Sequence, residues 1–476
     1  MLFNSSEYLA IFFPIALLGC ILLRSFVGSK AAQGWILVAS LLFYTWNKPA
    51  YLPYLLGSIL VNWLLARTIA SQQGPERQAI RKRLLQLSLV LNLGYLCIFK
   101  YVNFFLSNFS SLLHGFHLPD LELPLGISFF TLAQIMYLVD VYEHLIPPMG
   151  LFDYSTFVSF FPYVISGPIA RAKRIKHQFA DFGGRPEGYG VLVARGLFLF
   201  TIGLFKKVLV ADAFAKLADP GFVPGVHLSA LEALCFSVAY TLQIYFDFSG
   251  YSDMAIGSAL MLGIEIPRNF DAPLRSKSVI EFWTRWHISL SQFITTYLYT
   301  PIIRSMGRVS LLKSAVATFL AMAIAGLWHG PAWPFVAYGV IFGLALGINQ
   351  YWRKKKMPVL PAFVSWLLTF MVVDVALLFF RSSTLPAGFG MAAAIFNPHH
   401  ASAVLVLSTT LHSLKPVNLA IIPLGIVLAF FGKSSDELSR EFQPTLLNAL
   451  ATSSVFVVSC VFMAYNTSQS FLYFQF

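Results

Sequence analysis

Long apolar runs recur from one end of this chain to the other. They lie at 8–26, 33–46, 52–70, 85–106, 123–142, 191–211, 229–246, 250–264, 312–328, 332–350, 360–380, 416–432 and 446–465. A helix needs roughly 20 apolar residues to cross the hydrocarbon core of a bilayer. Backbone polar groups cannot be left unsatisfied in lipid, so runs of this length predict helices. The expected fold class is all-α, a polytopic transmembrane helical bundle. Only 11% of residues are charged, against roughly 25% in a soluble domain, so lipid must cover the surface. No stretch is left for a soluble module, and residues 1–476 are expected to form a single integral-membrane domain. The run 8–26 has no basic start and no small-residue cleavage box, so it reads as a retained span.

Three segments depart from simple crossings. The short runs 33–46 and 250–264 are expected to be re-entrant or buried among other helices. The apolar segment 154–170 is broken by Pro162, Gly167 and Pro168, which places it inside the bundle and away from lipid. Segment 276–311 carries Lys277, Glu281, Arg285, His287, Arg304 and Arg308, with Phe282, Trp286, Leu290, Phe293 and Tyr297 at helical spacing. It predicts an amphipathic helix on the membrane or lining a vestibule.

The formal net charge of +12 points to positive-inside topology and contact with anionic lipid. It would also attract an anionic cytosolic substrate. The basic residues sit in short loops, which excludes a nucleic-acid partner. Clusters at Arg77, Arg81, Lys82, Arg83 and at Arg353, Lys354, Lys355, Lys356 are expected on the cytoplasmic side, and loop 107–122, with no Lys or Arg, on the outer side. Lys206 and Lys207 fit this scheme badly: they either snorkel to an interface or face an internal polar cavity. Cys20, Cys97, Cys235 and Cys460 lie in apolar runs without metal-ligand or disulfide spacing, and read as packing residues.

Ionisable groups at membrane depth usually have a task. His329 stands in Gly326-Leu327-Trp328-His329-Gly330-Pro331 between two such runs, and His287 ends Phe282-Trp283-Thr284-Arg285-Trp286-His287. A helix that stops at Gly330-Pro331 frees carbonyls and should open space beside the His329 ring. An imidazole there could serve as general base. Asp247 and Asp253, six residues apart around Gly250, either cap a helix after Gly250 or hold an arginine, or else orient a histidine or substrate group. Asp374 has the plainer structural reading. A metal site from His287, His329 and Asp247 is conceivable, but no His-x-x-x-His pair or Cys ligand supports it, and no metal is assigned. No Gly-x-Ser-x-Gly elbow and no phosphate-binding loop is present. Without a protein nucleophile of the usual kind, direct transfer is favoured: a base deprotonates an acceptor hydroxyl, which attacks an activated acyl group. An indole or backbone N–H near Trp328 could stabilise the oxyanion.

The segments 282–291, Tyr297-Leu298-Tyr299-Thr300-Pro301 and Gly326 to Pro331 together resemble the signature of the membrane-bound O-acyltransferase family, most of all its bacterial alginate O-acetylation subgroup. Met1-Leu2-Phe3-Asn4-Ser5, the stretch 124–131, Phe161-Pro162 with Ser166-Gly167-Pro168-Ile169, Tyr245 to Asp253, Pro267-Arg268-Asn269-Phe270 and the ending Phe471 to Phe476 resemble it too, in family order. Thr295 and Thr296 stand where the family usually has Arg-Asp, and Ile302-Ile303-Arg304 replaces its Gly-Gly-Asn-type turn. The resemblance implies a helical bundle around a central funnel or tunnel. It implies His329 as the catalytic residue and His287 as a second important one.

The expectation drawn from both lines is an inner-membrane O-acyltransferase that moves an acetyl group for O-acetylation of a secreted, alginate-like polysaccharide. No cofactor is bound in this scheme, and acetyl-CoA is the expected donor. A periplasmic acetyltransferase partner would complete transfer to the glycan. Trp328, Arg285, Asp247, Asp253 and Asn269 are the expected substrate-binding or orienting residues. The rivals are D-alanyl transfer to teichoic acid by a related branch and, from another class, a proton-coupled transporter with the histidines as relay. No repeat of the kind many transporters carry is seen.

Overall fold

The computed structural model describes residues 1–108, 122–180, 188–397, 405–465 and 471–472. Most of the expected outer loop 107–122 and the last four residues of the closing motif therefore lie outside the described residues. Among the described residues there are helices and no strands. Seven helices are long and apolar enough to cross a membrane: Tyr8–Phe26, Pro49–Ser71, Pro75–Asn108, Leu311–His329, Trp333–Lys354, Ala362–Arg381 and Leu446–Tyr465. Each coincides with an expected span. Val406–Ser413 and Pro416–Phe431 form a pair bent by 111°, a broken span or re-entrant loop.

The chain divides into two compact units, the first comprising Met1–Phe200 with Met254–Pro267. Its core is aromatic: Tyr8 is fully buried, packs against Phe3, Phe43 and Phe200, and bonds Ser258 Oγ through its hydroxyl at 2.7 Å. Ile127–Tyr142, only 16 residues long, is buried on almost every side and belongs to the interior. Residues 160–167 turn irregularly and are buried, as Pro162 and Gly167 predict. Two sets of buried polar groups pair within the unit: Asn62 and Asn92 exchange amide hydrogen bonds, and Arg171 pairs with Asp140 at 2.9 Å. Gly196 and Gly257 let two helix backbones meet, since a Cβ on Gly257 would lie 2.6 Å from the Gly196 carbonyl oxygen.

The second unit comprises Thr201–Asp253 and Arg268–Phe476. Its helical hairpin, Leu311–His329 against Trp333–Lys354, turns at Gly330 and restarts with Pro334 in the first turn. Gly326 and Gly339 bring the arms together: a Cβ on Gly326 would stand 2.3 Å from the Phe335 carbonyl oxygen, and one on Gly339 2.3 Å from that of Met322.

Two expectations need correction. Runs 229–246 and 250–264 are one helix, Ala230–Met261, of 32 residues. Gly250 does not break it; a Cβ there would be 2.7 Å from the Gly203 carbonyl oxygen and 3.1 Å from the Lys207 nitrogen. Glycine is needed at that position for close approach. Segment 276–311 is no single amphipathic helix. It is broken at Trp286 and His287 into Val279–Arg285 and a second helical run, Ile288–Phe293, a π-helical stretch Ile294–Tyr299 and Thr300–Ser305. Of its five spaced apolar residues, Phe282, Trp286, Leu290 and Phe293 are buried and Tyr297 is half-buried.

Candidate active site

His329 is the last residue of its helix, and Gly330 continues in extended backbone. Its ring is buried and stands edge-on to three aromatics: Trp328 at 5.0 Å, Phe380 at 5.1 Å and Tyr338 at 5.5 Å between centroids. The space expected beside the ring is filled at Gly330, where a Cβ would lie 2.2 Å from the Phe335 ring. The motif glycine therefore admits an aromatic wall instead of leaving an opening. A cavity of about 860 Å³, lined by His227, Ser382, Ser383, Thr384 and Asn397 among others, begins two residues beyond Phe380.

His287 sits at the joint between Val279–Arg285 and Ile288–Phe293 with φ of +42°. A non-glycine residue in this left-handed region costs about 1–2 kcal/mol, so the surroundings must hold it there. Asn269 does much of the holding. Its backbone carbonyl accepts from Ile288 N–H at 3.0 Å, and its Oδ1 accepts from Ser289 N–H at 3.1 Å and from Ser289 Oγ–H at 2.6 Å. Asp271 N–H donates to the Arg285 carbonyl at 3.0 Å. The fully buried Asn269 thus clamps the residues that follow His287, and its Nδ2 is left without a partner among the described residues. The His287 ring is 1% exposed, with Phe248 edge-on at 4.7 Å. It lies outside the seven spans yet away from solvent, and burial pushes its pKa well below the ordinary value, favouring the neutral ring.

Tyr338 connects the two histidine segments. Its ring stands edge-on to His329 and to Phe342, Phe342 stacks on Phe282, and Phe282 stacks on Trp286, the residue before His287. Sequence reasoning missed Tyr338 and Phe380; neither carries a signal beyond being aromatic in an apolar run.

The intramembrane acids meet lysines and hydroxyls within the second unit. Asp247 takes Lys207 Nζ at 2.5 Å on Oδ1, and Asp253 takes Lys206 Nζ at 2.8 Å. Asp212 adds a second carboxylate to Lys207 at 3.4 Å, and Lys206 also donates to Ser435 Oγ at 2.5 Å. Both lysines are therefore internal and neither snorkels. The expected arginine partner and the helix cap after Gly250 are replaced by this lysine pair. Its segment is a π turn, Lys206–Ala211, that swells the helix where the two cations enter the core. Asp374 accepts from Ser237 and Thr241 hydroxyls, each at 2.7 Å, in keeping with a structural role. Arg285 pairs with Glu281 at 3.0 Å and is about a third exposed. Trp328 is beside His329 as its sequence position requires. Among the described residues no three His, Cys, Asp or Glu side chains gather to hold a metal, so His287, His329 and Asp247 form no such cluster.

The profile of the membrane-bound O-acyltransferase family matches residues 78–379, which include both histidines and Tyr338. The chain belongs to the membrane-bound O-acyltransferase family. It is a multi-pass membrane O-acyltransferase, as its motifs led one to expect. Its relatives divide by coverage. The "Peptidoglycan O-acetyltransferase" of Helicobacter pylori is 33% identical over all of this chain and 98% of its own length. The Pseudomonas aeruginosa protein named "Probable alginate O-acetylase" is 34% identical over 91% of this chain and 81% of its own. The "Teichoic acid D-alanyltransferase" of Streptococcus thermophilus is 30% identical over 49% of this chain and 58% of its own.

Proposed function

We propose that this acyltransferase takes an acetyl group from a cytosolic thioester, acetyl-CoA, and passes it across the bacterial inner membrane for O-acetylation of an extracytoplasmic polysaccharide. The end-to-end likeness to a peptidoglycan O-acetyltransferase, with an alginate O-acetylase beside it, carries the choice of acceptor class. The D-alanyltransferase likeness stops at half of the chain and ranks below it.

In this reading His329 is the base. It takes the proton of an acceptor hydroxyl, the oxygen attacks the thioester carbonyl, the carbon–sulfur bond breaks as the carbon–oxygen bond forms, and the departing thiolate recovers the proton. A positioned base contributes typically ~10²–10⁴-fold. The aromatic enclosure of Trp328, Tyr338 and Phe380 would exclude water that could hydrolyse the thioester. His287, neutral and fixed by Asn269, positions substrate from the other motif, and Tyr338 keeps the two in register. Trp328 supplies an oxyanion donor and Arg285 a contact for the donor's phosphates. Asp247 and Asp253 orient the framework from which these groups project. The cavity beyond Phe380, with Ser382, Ser383 and Thr384 among its apolar lining, suits delivery to a periplasmic acetyltransferase partner.

The test is acetyl transfer in membrane vesicles carrying the protein and its partners, supplied with radiolabelled acetyl-CoA. Label should enter a glycan fraction, and His329→Ala should lower the rate at least a hundredfold with the protein still inserted. Undiminished transfer by that variant would overturn the base assignment. Solute uptake without acyl chemistry would overturn the function.

A further inference from the structure

A second cavity, of about 670 Å³, lies within the second unit where the span Trp333–Lys354 ends and Ala362–Arg381 begins. Lys277, Arg353 and Lys356 stand on it, and no acidic residue lines it. Its other side is apolar, including Ala345, Ile348, Leu368 and Val372. At 1.5 Å per residue, Arg353 to Ala345 covers about 12 Å and Ala362 to Val372 about 15 Å along the two helices. That is one leaflet of a hydrocarbon core about 30 Å thick. The groove therefore joins a cationic mouth at the ends of two spans to an apolar floor one leaflet deep.

The walls are tied in place. Trp352 Nε1–H donates to the Pro358 carbonyl at 3.0 Å, closing the linker between the spans. Ile280 N–H donates to Asn349 Oδ1 at 3.2 Å, joining the helix Val279–Arg285 to the Tyr338 helix. Ile348, Val359 and Leu368 remain exposed on the groove, which water would disfavour and acyl chains would cover.

We propose that this groove binds one anionic phospholipid, its phosphate between Lys277, Arg353 and Lys356 and its chains along Ile348 and Leu368. Charge complementarity selects the headgroup, and the depth of the floor selects a lipid over a free phosphate compound. Lys277 lies two residues before the helix that runs into Trp286 and His287, so a bound lipid braces the His287 segment against the helix bearing Tyr338. Lipid binding itself does not depend on the acyl-transfer reading.

The experiment uses the full-length protein in mild detergent, with native mass spectrometry after addition of phosphatidylglycerol and phosphatidylcholine of identical chains. Phosphatidylglycerol should be retained at least fivefold over phosphatidylcholine. Lys277→Ala with Arg353→Ala and Lys356→Ala should abolish the preference. Arg77→Ala with Lys82→Ala and Arg83→Ala, equal in charge removed, should keep it. Ile348→Trp with Leu368→Trp, which fills the floor and leaves the cations, should lower retention while the thermal transition is unchanged. Equal retention of the two lipids, or a preference that survives loss of the groove cations, would overturn the proposal. Displacement of the lipid by coenzyme A or inorganic phosphate would also overturn it, making the site one for free phosphates.

Discussion

Asp247 Oδ2 accepts a hydrogen bond from the backbone N–H of Leu472 at 3.0 Å, joining positions 225 residues apart. The same carboxylate takes Lys207 on its other oxygen. Next to Leu472, Phe471 stacks on Tyr251 at 4.2 Å and packs against Phe248, whose edge meets His287. The C-terminal segment is thus part of the support behind the His287 ring.

Asp247→Ala should leave Lys207 in the core with only the more distant Asp212 carboxylate, at 3.4 Å. Removing one member of a buried ion pair costs about 3–5 kcal/mol, so a marked fall in the thermal midpoint in detergent is expected. Pairing it with Lys207→Ala should recover part of the loss, because the under-compensated ammonium is then gone. A double variant as unstable as the sum of the singles would contradict the pairing.

Phe471→Ala should leave the spans intact and act on His287 through Phe248. Acetyl transfer is expected to fall several-fold, with the thermal midpoint lowered by far less than in Asp247→Ala. Rate and melting measured on the same preparation check this.

Phe342→Leu removes the ring that packs between Tyr338 and Phe282. An aromatic pair is worth about 0.5–1.5 kcal/mol beyond its buried area, so a loss of acetyl-transfer rate near tenfold is expected if this packing keeps the two motif segments in register. Tyr338→Phe, which keeps the ring against His329, should cost far less.

Gly326→Ala should force the hairpin arms apart, as its Cβ would meet the Phe335 carbonyl oxygen at 2.3 Å. Overpacking of this kind costs about 1–3 kcal/mol. Melting should register it, and activity should fall because His329 lies three residues on.

Acid should weaken the second unit through His287. Burial lowers its pKa in the folded protein, so the folded ring stays neutral where the unfolded one takes a proton. Stability contributed by the neutral ring is present above the ordinary histidine pKa of about 6.5 and is lost as pH falls below it. The thermal midpoint should drop between pH 7.5 and 5, and His287→Gln should flatten the dependence.

Spans and both histidines are legible in the sequence because each rests on a local signal: apolar length for the spans, and a titratable ring among tryptophans for the site. Gly250 misleads because glycine beside serines predicts a break, whereas tertiary packing against Gly203 demands a residue without a Cβ inside a continuous helix. The helical spacing across 276–311 is real, but it does not reveal the joint at His287, which Asn269 enforces from outside the segment. Lys206 and Lys207 looked misplaced because their partners lie some forty residues away. Two consecutive cations followed by two acids on one later helix was the pattern available to find them.

That lysine pair bears on how the chain enters the membrane. Neutralised by Asp247 and Asp253, it casts no vote on which side its loop lies, and a count of topogenic charges should omit it. Until the ribosome has delivered Ala230–Met261, the two ammonium groups have only Asp212, on Lys207, as a local counterion, so the segment should wait at the translocon and enter lipid together with that later helix.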